Sequence, residues 1–498
     1  MQTRRDQVQA YRFAQARLQA AVLGADPDRA ESPLRRSGVA TFAGVMVATL
    51  VVAGFGVLGL VRPSSKVGWD APGVLVVEKE TGTRFVYDPV DGALHPVLNY
   101  ASARLALDRT AVRVEQFSRA SLAGVRRGAP RGIPGAPDAL PAADGLVAGP
   151  WSVCSGVTDG AAGRPSLSVS VGSAPSGTRV SGDKAVVVRS EDDGRTYLVW
   201  QDSRLLIPDS KAVLAVFGGD AWQVLTVSSR WLNAIAPGHD LVPPLPSGIG
   251  SALPYRVGSR TVYLGQVLRM QVEGGVGTRY YVALADGVAG VSDVVALLLL
   301  VDPQTRFAYG GGNPVAFEVQ PADIAKAPQA ATPLPDDGLP STIPQDAMAA
   351  ESADGAPPAH VCGVFADPTG KDPAARVWLA DRVPGAASGV PAPAAGAPSD
   401  AAVPKGMDVP VEVIVPPGRA AVVHPLVHAG QASSATFLVT DLGAAFPVPT
   451  DGARAALGYG GADVVPVPKG ILDLVPVGPV LDPSRANVDR AVAVPPAG

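Results

Sequence analysis

From Val39 to Val61 the chain carries no charge in 23 consecutive positions, and Arg35–Arg36 and Arg62 bracket the run. At about 1.5 Å per residue a helix of that length covers about 34 Å, enough to cross a hydrocarbon core of about 30 Å. In lipid every backbone N–H and C=O must be satisfied within the segment, so the run has to be a helix. A cleaved signal peptide fits poorly. The apolar core and the region before it are too long, and no small-x-small site precedes "RPSSKVGWD". The run reads as an uncleaved anchor, with residues 38–62 as one transmembrane helix. Ala40, Gly44 and Ala48 recur along it at four-residue spacing, a stripe against which another helix could pack.

Arg4, Arg5, Arg12, Arg17, Arg29, Arg35 and Arg36 crowd the N-terminal side of the anchor, against Arg62 and Lys66 beyond it. The positive-inside rule then leaves residues 1–37 in the cytoplasm and exports the bulk of the chain. The anchored product is expected in the cell (inner) membrane, single-pass, with a periplasmic body. Within "RRDQVQAYRFAQARLQAAV" a 3.6-residue period brings Val8, Tyr11, Leu18 and Val22 to one face, and Phe13 projects elsewhere. This amphipathic helix is too narrow to build a core with itself. It needs a membrane surface or a protein partner.

The exported part holds most of the 498 residues, too many for one ordinary core. Its fold class is α+β, because 56 Gly and 49 Pro argue for short elements and turns. A strand, polar turn, second strand and Ala/Leu-rich helix recur from Arg84, Thr196, Arg279 and Thr436, which suggests four small α/β repeats of about 50 residues. Between them lie strand-like stretches, "SLSVSVG", "KAVVVRS", "PVAFEVQ" and "DVPVEVIVPPG", and the only two cysteines, Cys154 and Cys362. A bridge between these cysteines would tie both stretches into one discontinuous β-rich central domain, in the oxidising compartment where disulfides persist.

The expected organisation is repeat 1 at 63–127, the first central half at 128–190, repeat 2 at 191–250 and repeat 3 at 251–308. The second central half follows at 309–415, repeat 4 at 416–484 and a disordered tail at 485–498. "GAPRGIPGAPDALPAADG" and "PGAASGVPAPAAGAPSDAAVPKG" read as exposed loops.

Chemical motifs are scarce. A net charge of −4 gives no footprint for nucleic acid. "GVFADPTGKDP" approaches a phosphate-binding loop but has Phe365 in place of the first glycine and Asp372 in place of the hydroxyl. "GYGGAD" puts Asp463 at the third glycine of a dinucleotide fingerprint. His424 and His428 are four apart, yet Pro425 argues against a helix and for ordinary loop histidines. No catalytic, metal or cofactor constellation emerges, so no cofactor is expected.

The stretches "TRRDQVQAYRFAQARLQAAVLGADP" and "SPLRRSGVATFAGVMVATLVVAGFGVLGLVRP" closely resemble the N-terminus of EccB. This family is a core membrane component of the type VII (ESX) secretion system of actinobacteria. "GWDAPGVLVVEKETGTRFVYDPVDGALHPVLNYASARLAL", "ADGVAGVSDVVALLLL" and "GPVLDP" extend the resemblance along the chain. It implies a structural and assembly subunit, with the EccC-type motor ATPase, EccD- and EccE-type membrane subunits and the mycosin protease as partners, and self-association in the complex. The family is sometimes called an ATPase, for which this sequence offers no nucleotide motif. An anchored hydrolase and a cell-wall-binding module are the alternatives.

Overall fold

The computed structural model describes residues 3–24, 33–61, 68–109, 111–157, 165–218, 222–272, 277–335, 338–348, 358–385 and 411–490. Two helices lead: α1 (Arg4–Gly24) and α2 (Pro33–Val61). Within α2, Gly38–Val57 is long and apolar enough to cross a membrane, and none of it is buried by the rest of the protein.

The first unit opens with an antiparallel meander of β1 (Val74–Glu78), β2 (Arg84–Asp88) and β3 (Ala93–Pro96). Helix α3 (Tyr100–Leu107) crosses back to β4 (Arg113–Phe117), which lies parallel to β1. The short α4 (Arg119–Leu122) then leads to β5 (Arg126–Arg127), parallel to β3. Parallel neighbours cannot be joined by a tight turn, so each return needs a crossover element. The central sheet begins next, with β6 (Trp151–Gly156), β7 (Leu167–Val171) and β8 (Gly177–Arg179).

The second unit repeats the order of the first. Its meander is β9 (Lys184–Ser190), β10 (Thr196–Trp200) and β11 (Ser203–Ile207). Then come α5 (Ser210–Val216), β12 (Val224–Val227) parallel to β9, α6 (Ser229–Ala234) and β13 (Ala236–Pro237) parallel to β11. A hairpin of β14 (Ala252–Val257) and β15 (Arg260–Tyr263) precedes the third unit.

That unit has β16 (Val267–Gln271), β17 (Thr278–Leu284), β18 (Gly287–Val291), α7 (Asp293–Val301) and β19 (Phe317–Val319) parallel to β16. Helix α8 (Pro321–Lys326) ends it, with a parallel bridge from Gln329 to Val288. β20 (Gln345–Asp346) joins the second unit's sheet beside β9. The central sheet is completed by β21 (His360–Phe365), β22 (Arg376–Ala380) and β23 (Val411–Ile414), in the order β23-β7-β6-β21-β22-β8.

The fourth unit holds β24 (Ala420–His428) with its tip partner β25 (Gln431–Ala432), β26 (Thr436–Thr440), β27 (Ala445–Val448) and α9 (Asp451–Leu457). β28 (Val465–Pro468) is parallel to β24, α10 (Lys469–Leu472) follows, and Val477 bridges Ala445 in parallel. A last helix, α11, spans Pro483–Ala486.

Four of the sheets thus share one strand order. The first crossover helix of each starts at a polar cap whose side chain accepts a backbone N–H: Asn99, Asp209, Ser292 and Thr450. The stretches that begin at Arg84, Thr196, Arg279 and Thr436 fall on the second strand of each sheet, so each unit begins one strand earlier than its sequence suggests. "KAVVVRS" is β9 of the second unit and "PVAFEVQ" contains β19 of the third, where both were expected in the central domain. Alternation identifies a strand, but pairing with a remote neighbour decides which sheet it joins.

Two further expectations are corrected. The stretch from Gly128 is packed: Ile133 and Ala136 are buried against the first and fourth units. The tail is ordered beyond Arg485, because Ala486 is fully buried and Arg490 N–H donates to Pro130 O at 2.7 Å. Residues 491–498 lie outside the described residues, as does most of the loop from Pro384.

Shared cores weld the units together. One cluster joins the central sheet to the second and fourth units, a second joins the first and fourth, and a third joins the second to α7 of the third. Cys154 and Cys362 face each other across β6 and β21 and are bonded, with S–S 2.04 Å. Between β10 and β11, Gln201 and Asp202 both take left-handed φ values, 46° and 60°. The Asp202 carboxylate there accepts Val377 N–H and pairs with Arg179 and Arg376, pinning the second unit's turn to the central sheet.

Candidate assembly surfaces

On α1, Val8, Tyr11, Phe13, Leu18 and Val22 are all at least half exposed, and among the side chains described there Ala20 is the buried one. The apolar stripe is therefore open rather than folded back on α2. Phe13 carries the Arg17 guanidinium 5.9 Å from its ring centre. On α2, Ala40, Gly44 and Ala48 are exposed, and a Cβ built on Gly44 would meet nothing within 4 Å. That face is free for the close approach of a second helix. The two sets of residues lie on separate helices and share no site.

Sequence reasoning gave no hint of a charged clasp on the first unit. The buried His95 ring donates Nδ1–H to Ala129 O at 2.8 Å, and its Nε2 lies 2.9 Å from Asp91 Oδ2. Arg131 bonds Asp88 at 2.6 Å and Asp489 at 2.5 Å, so the chain beyond the fourth unit is fastened to the first. The Arg131 bond holds the Asp88 carboxyl below its ordinary range. Burial alone would lower the Arg131 guanidinium, but its bonds to Asp489 and Asp88 outweigh burial and raise it. Asp88, Asp91 and His95 bring possible ligand atoms within 4.8 Å of one another. Arg131 pairs with Asp88 and Asp489 and lies 3.9 Å from Asp91, so the arrangement acts as a clasp between the first unit and the chain beyond the fourth. Gly128 completes it, because a Cβ there would meet the His95 ring at 2.2 Å.

A cleft of about 340 Å³ opens where the first and fourth units meet, and one of about 520 Å³ adjoins it between the fourth unit and residues 143–148. Gly458 and Ala143 line both. Arg104 Nε donates to Ala456 O at 2.8 Å and the Tyr459 hydroxyl to Pro141 O at 2.8 Å, bonds that join the units across the clefts. The "GYGGAD" stretch thus begins at the C-cap of α9 and is fixed by the buried Tyr459, with Gly458 and Gly461 on the cleft walls.

The loop resembling a phosphate cradle is committed to itself. The Asp367 carboxylate accepts Asp372 N–H at 2.8 Å, Thr369 N–H at 2.8 Å and the Thr369 hydroxyl at 2.7 Å. Amides that would face a phosphate are taken by a side-chain anion. Those bonds, Asp372 N–H first, hold the Asp367 carboxyl down at about 2. A lowered carboxyl stabilises the fold fully above its unfolded value of about 4 and loses that contribution as pH falls through its folded value. Protection of the loop amides, taken relative to their intrinsic exchange rates, should therefore hold down to about pH 4 and fall toward pH 2. Asp367→Asn should remove that protection at every pH.

His424 and His428 sit on β24, not in a loop. His424 Nδ1 lies 2.8 Å from Ala435 O.

A family model described as "Type VII secretion system ESX-1, transport TM domain B" matches residues 1–495. A protein of Mycolicibacterium smegmatis named "ESX-1 secretion system ATPase EccB1" is 30% identical over 363 residues, 69% of this chain and 70% of that protein. Among solved structures, a chain of an intact ESX-5 inner membrane complex aligns with a TM-score of 0.64 at 24% identity, covering 99% of this chain and 96% of that one. A chain of the EccB3 dimer from the ESX-3 core complex aligns at 0.59 and 23%, covering 83% and 99%. At these identities the solved chains establish the shared fold.

Proposed function

Because this chain belongs to the EccB family of type VII secretion membrane proteins, with residues 1–495 matching the family model, we propose that it is a structural and assembly subunit of an ESX membrane complex. The observation that carries this reading is the combination of an open stripe on α1, one apolar helix and a body whose units are welded by shared cores. A rigid body on a single anchor suits a scaffold that holds other subunits in place.

In this reading the arginine-rich side of α2 stays in the cytoplasm and the body stands in the periplasm. The α1 stripe contacts cytoplasmic portions of an EccC-type motor and of EccD- and EccE-type subunits. The body meets further copies of itself and a mycosin protease. The EccB3 dimer among the solved relatives supports self-association. The word "ATPase" in the name of the EccB1 relative gains no support from the loop nearest in sequence to a phosphate cradle, whose Asp367 takes its amides.

A photo-crosslinker placed at Tyr11 or Phe13 in intact cells tests the reading. Capture of membrane-complex subunits is expected, and capture of lipid alone would refute it. Tyr11→Glu with Phe13→Glu should cut the recovered complex about tenfold, in line with the loss of buried aromatic anchors at an interface.

A further inference from the structure

The sheet of the first unit has β4 at one end, paired on its inner side with β1. Arg113 N–H donates to Gly73 O, and Phe117 O accepts Lys79 N–H, so the backbone groups of Arg113, Glu115 and Phe117 turn inward. Direction alternates along a strand, so the N–H and C=O of Val114 and Gln116 turn outward. No hydrogen bond among the described residues takes them. Val114 is 54% exposed, and Arg113 and Gln116 are exposed beside it. The edge is therefore open, and an open edge invites another strand. The matching strand of the fourth unit, β28, is protected, because Pro466 and Pro468 cannot donate.

We propose that β4 pairs antiparallel with β4 of a second copy, about a two-fold axis at Val114, so that two first units share one continuous sheet. This deepens the self-association in the reading above and rests on it. Parity comes from the backbone. An axis at Val114 sets that residue against its own copy and Gln116 against Val112, pairs whose outward groups exchange both backbone bonds. The same register sets Arg113 opposite Glu115 on both sides of the axis. These are the pairs without backbone bonds, where side chains approach most closely. An axis at Arg113 or at Glu115 would instead bring like charges face to face. Reversing "RVE" exchanges its charges, so the strand is complementary to itself, which makes a second copy the occupant. Paired residues share a face, so the two Val114 side chains meet on the side of the buried Leu75. α2 ends at Val61 and β1 begins at Val74, so two copies anchored in one membrane present this edge at the same height.

Sedimentation of the full chain, extracted in detergent, tests the pairing by charge reversal. Arg113→Glu or Glu115→Arg alone sets like charges opposite one another on both sides of the axis and should weaken self-association at least about tenfold. The double variant exchanges the charges and should restore it to within about threefold, a recovery that damage to the fold would not give. Val114→Pro removes an outward N–H and should abolish pairing, with exchange protection of β1, β2 and β3 unchanged. Self-association unmoved by either reversal, or unrestored in the double variant, would overturn the proposal. In membranes, a mixture of chains carrying Arg113→Cys or Glu115→Cys should form a mixed disulfide, because opposed positions lie within bridging distance. Bridging by Arg113→Cys chains alone would overturn the register, and crosslinks to other subunits alone would give the edge to a different partner. Subunit capture from Tyr11 is read separately, so unmoved self-association beside intact capture overturns the β4 pairing and leaves the assembly role standing.

Discussion

Replacing Cys154 with Ser is expected to cost the central sheet roughly 5 kcal/mol, measured as the fall in exchange protection of β6 and β21 amides. The bond closes a loop of 208 residues, and chain entropy gives a long loop the larger stabilisation. That loop contains the whole of the second and third units. Without the bond the central sheet loses its covalent tie, while those units keep cores of their own. Denaturation should then split into an early step for the central sheet and a later one for the second and third units. Cys154 and Cys362 are both buried, at 1% and 0% exposure, so reductant under native conditions should leave the bond intact. Rapid reduction without denaturant would contradict this account.

Trp231→Ala should be nearly as damaging, costing about 3–5 kcal/mol of unfolding free energy in urea titration. Trp231 stands on α6, has no exposed surface, and belongs to the core shared by the second unit, the central sheet and the fourth unit. Removing it empties the joint of three units at once. Trp231→Phe separates volume from polarity. The indole Nε1 has no hydrogen-bond partner among the described residues, so losing it gives up no bond. The phenylalanine should therefore recover most of the stability, with a residual loss of about 1–2 kcal/mol for the unfilled space. An equal loss in both variants would mean that the indole N–H is satisfied by bound water.

Local signals in the chain were read well where one element could satisfy itself. The charge-free run from Val39 to Val61 demands a helix whatever surrounds it, and α2 spans it. The caps Asn99, Asp209, Ser292 and Thr450 act over the same short range, through contacts three residues away, and the sequence reading passed them over. "KAVVVRS" and "PVAFEVQ" show the limit. Each reads as a strand, but nothing within either says that its partners are Thr196–Trp200 and Val267–Gln271. The stretch from Gly128 misled for a related reason. Its Ile133 and Ala136 offer little bulk alone, but two neighbouring units supply the walls of their pocket.

The clasp lay beyond local reading altogether. Arg131 and Asp489 are 358 positions apart, and neither belongs to a motif. By itself the sequence determined the long apolar helix, the α+β class, the apolar stripe of α1 and the family, because these rest on composition, short-range periodicity and close residue-by-residue likeness. Tertiary structure alone decided which strands share a sheet, which cores weld the units, and that the chain beyond the fourth unit returns to the first. Those outcomes depend on pairings between distant segments, whose free energy exists only once both partners have been brought together.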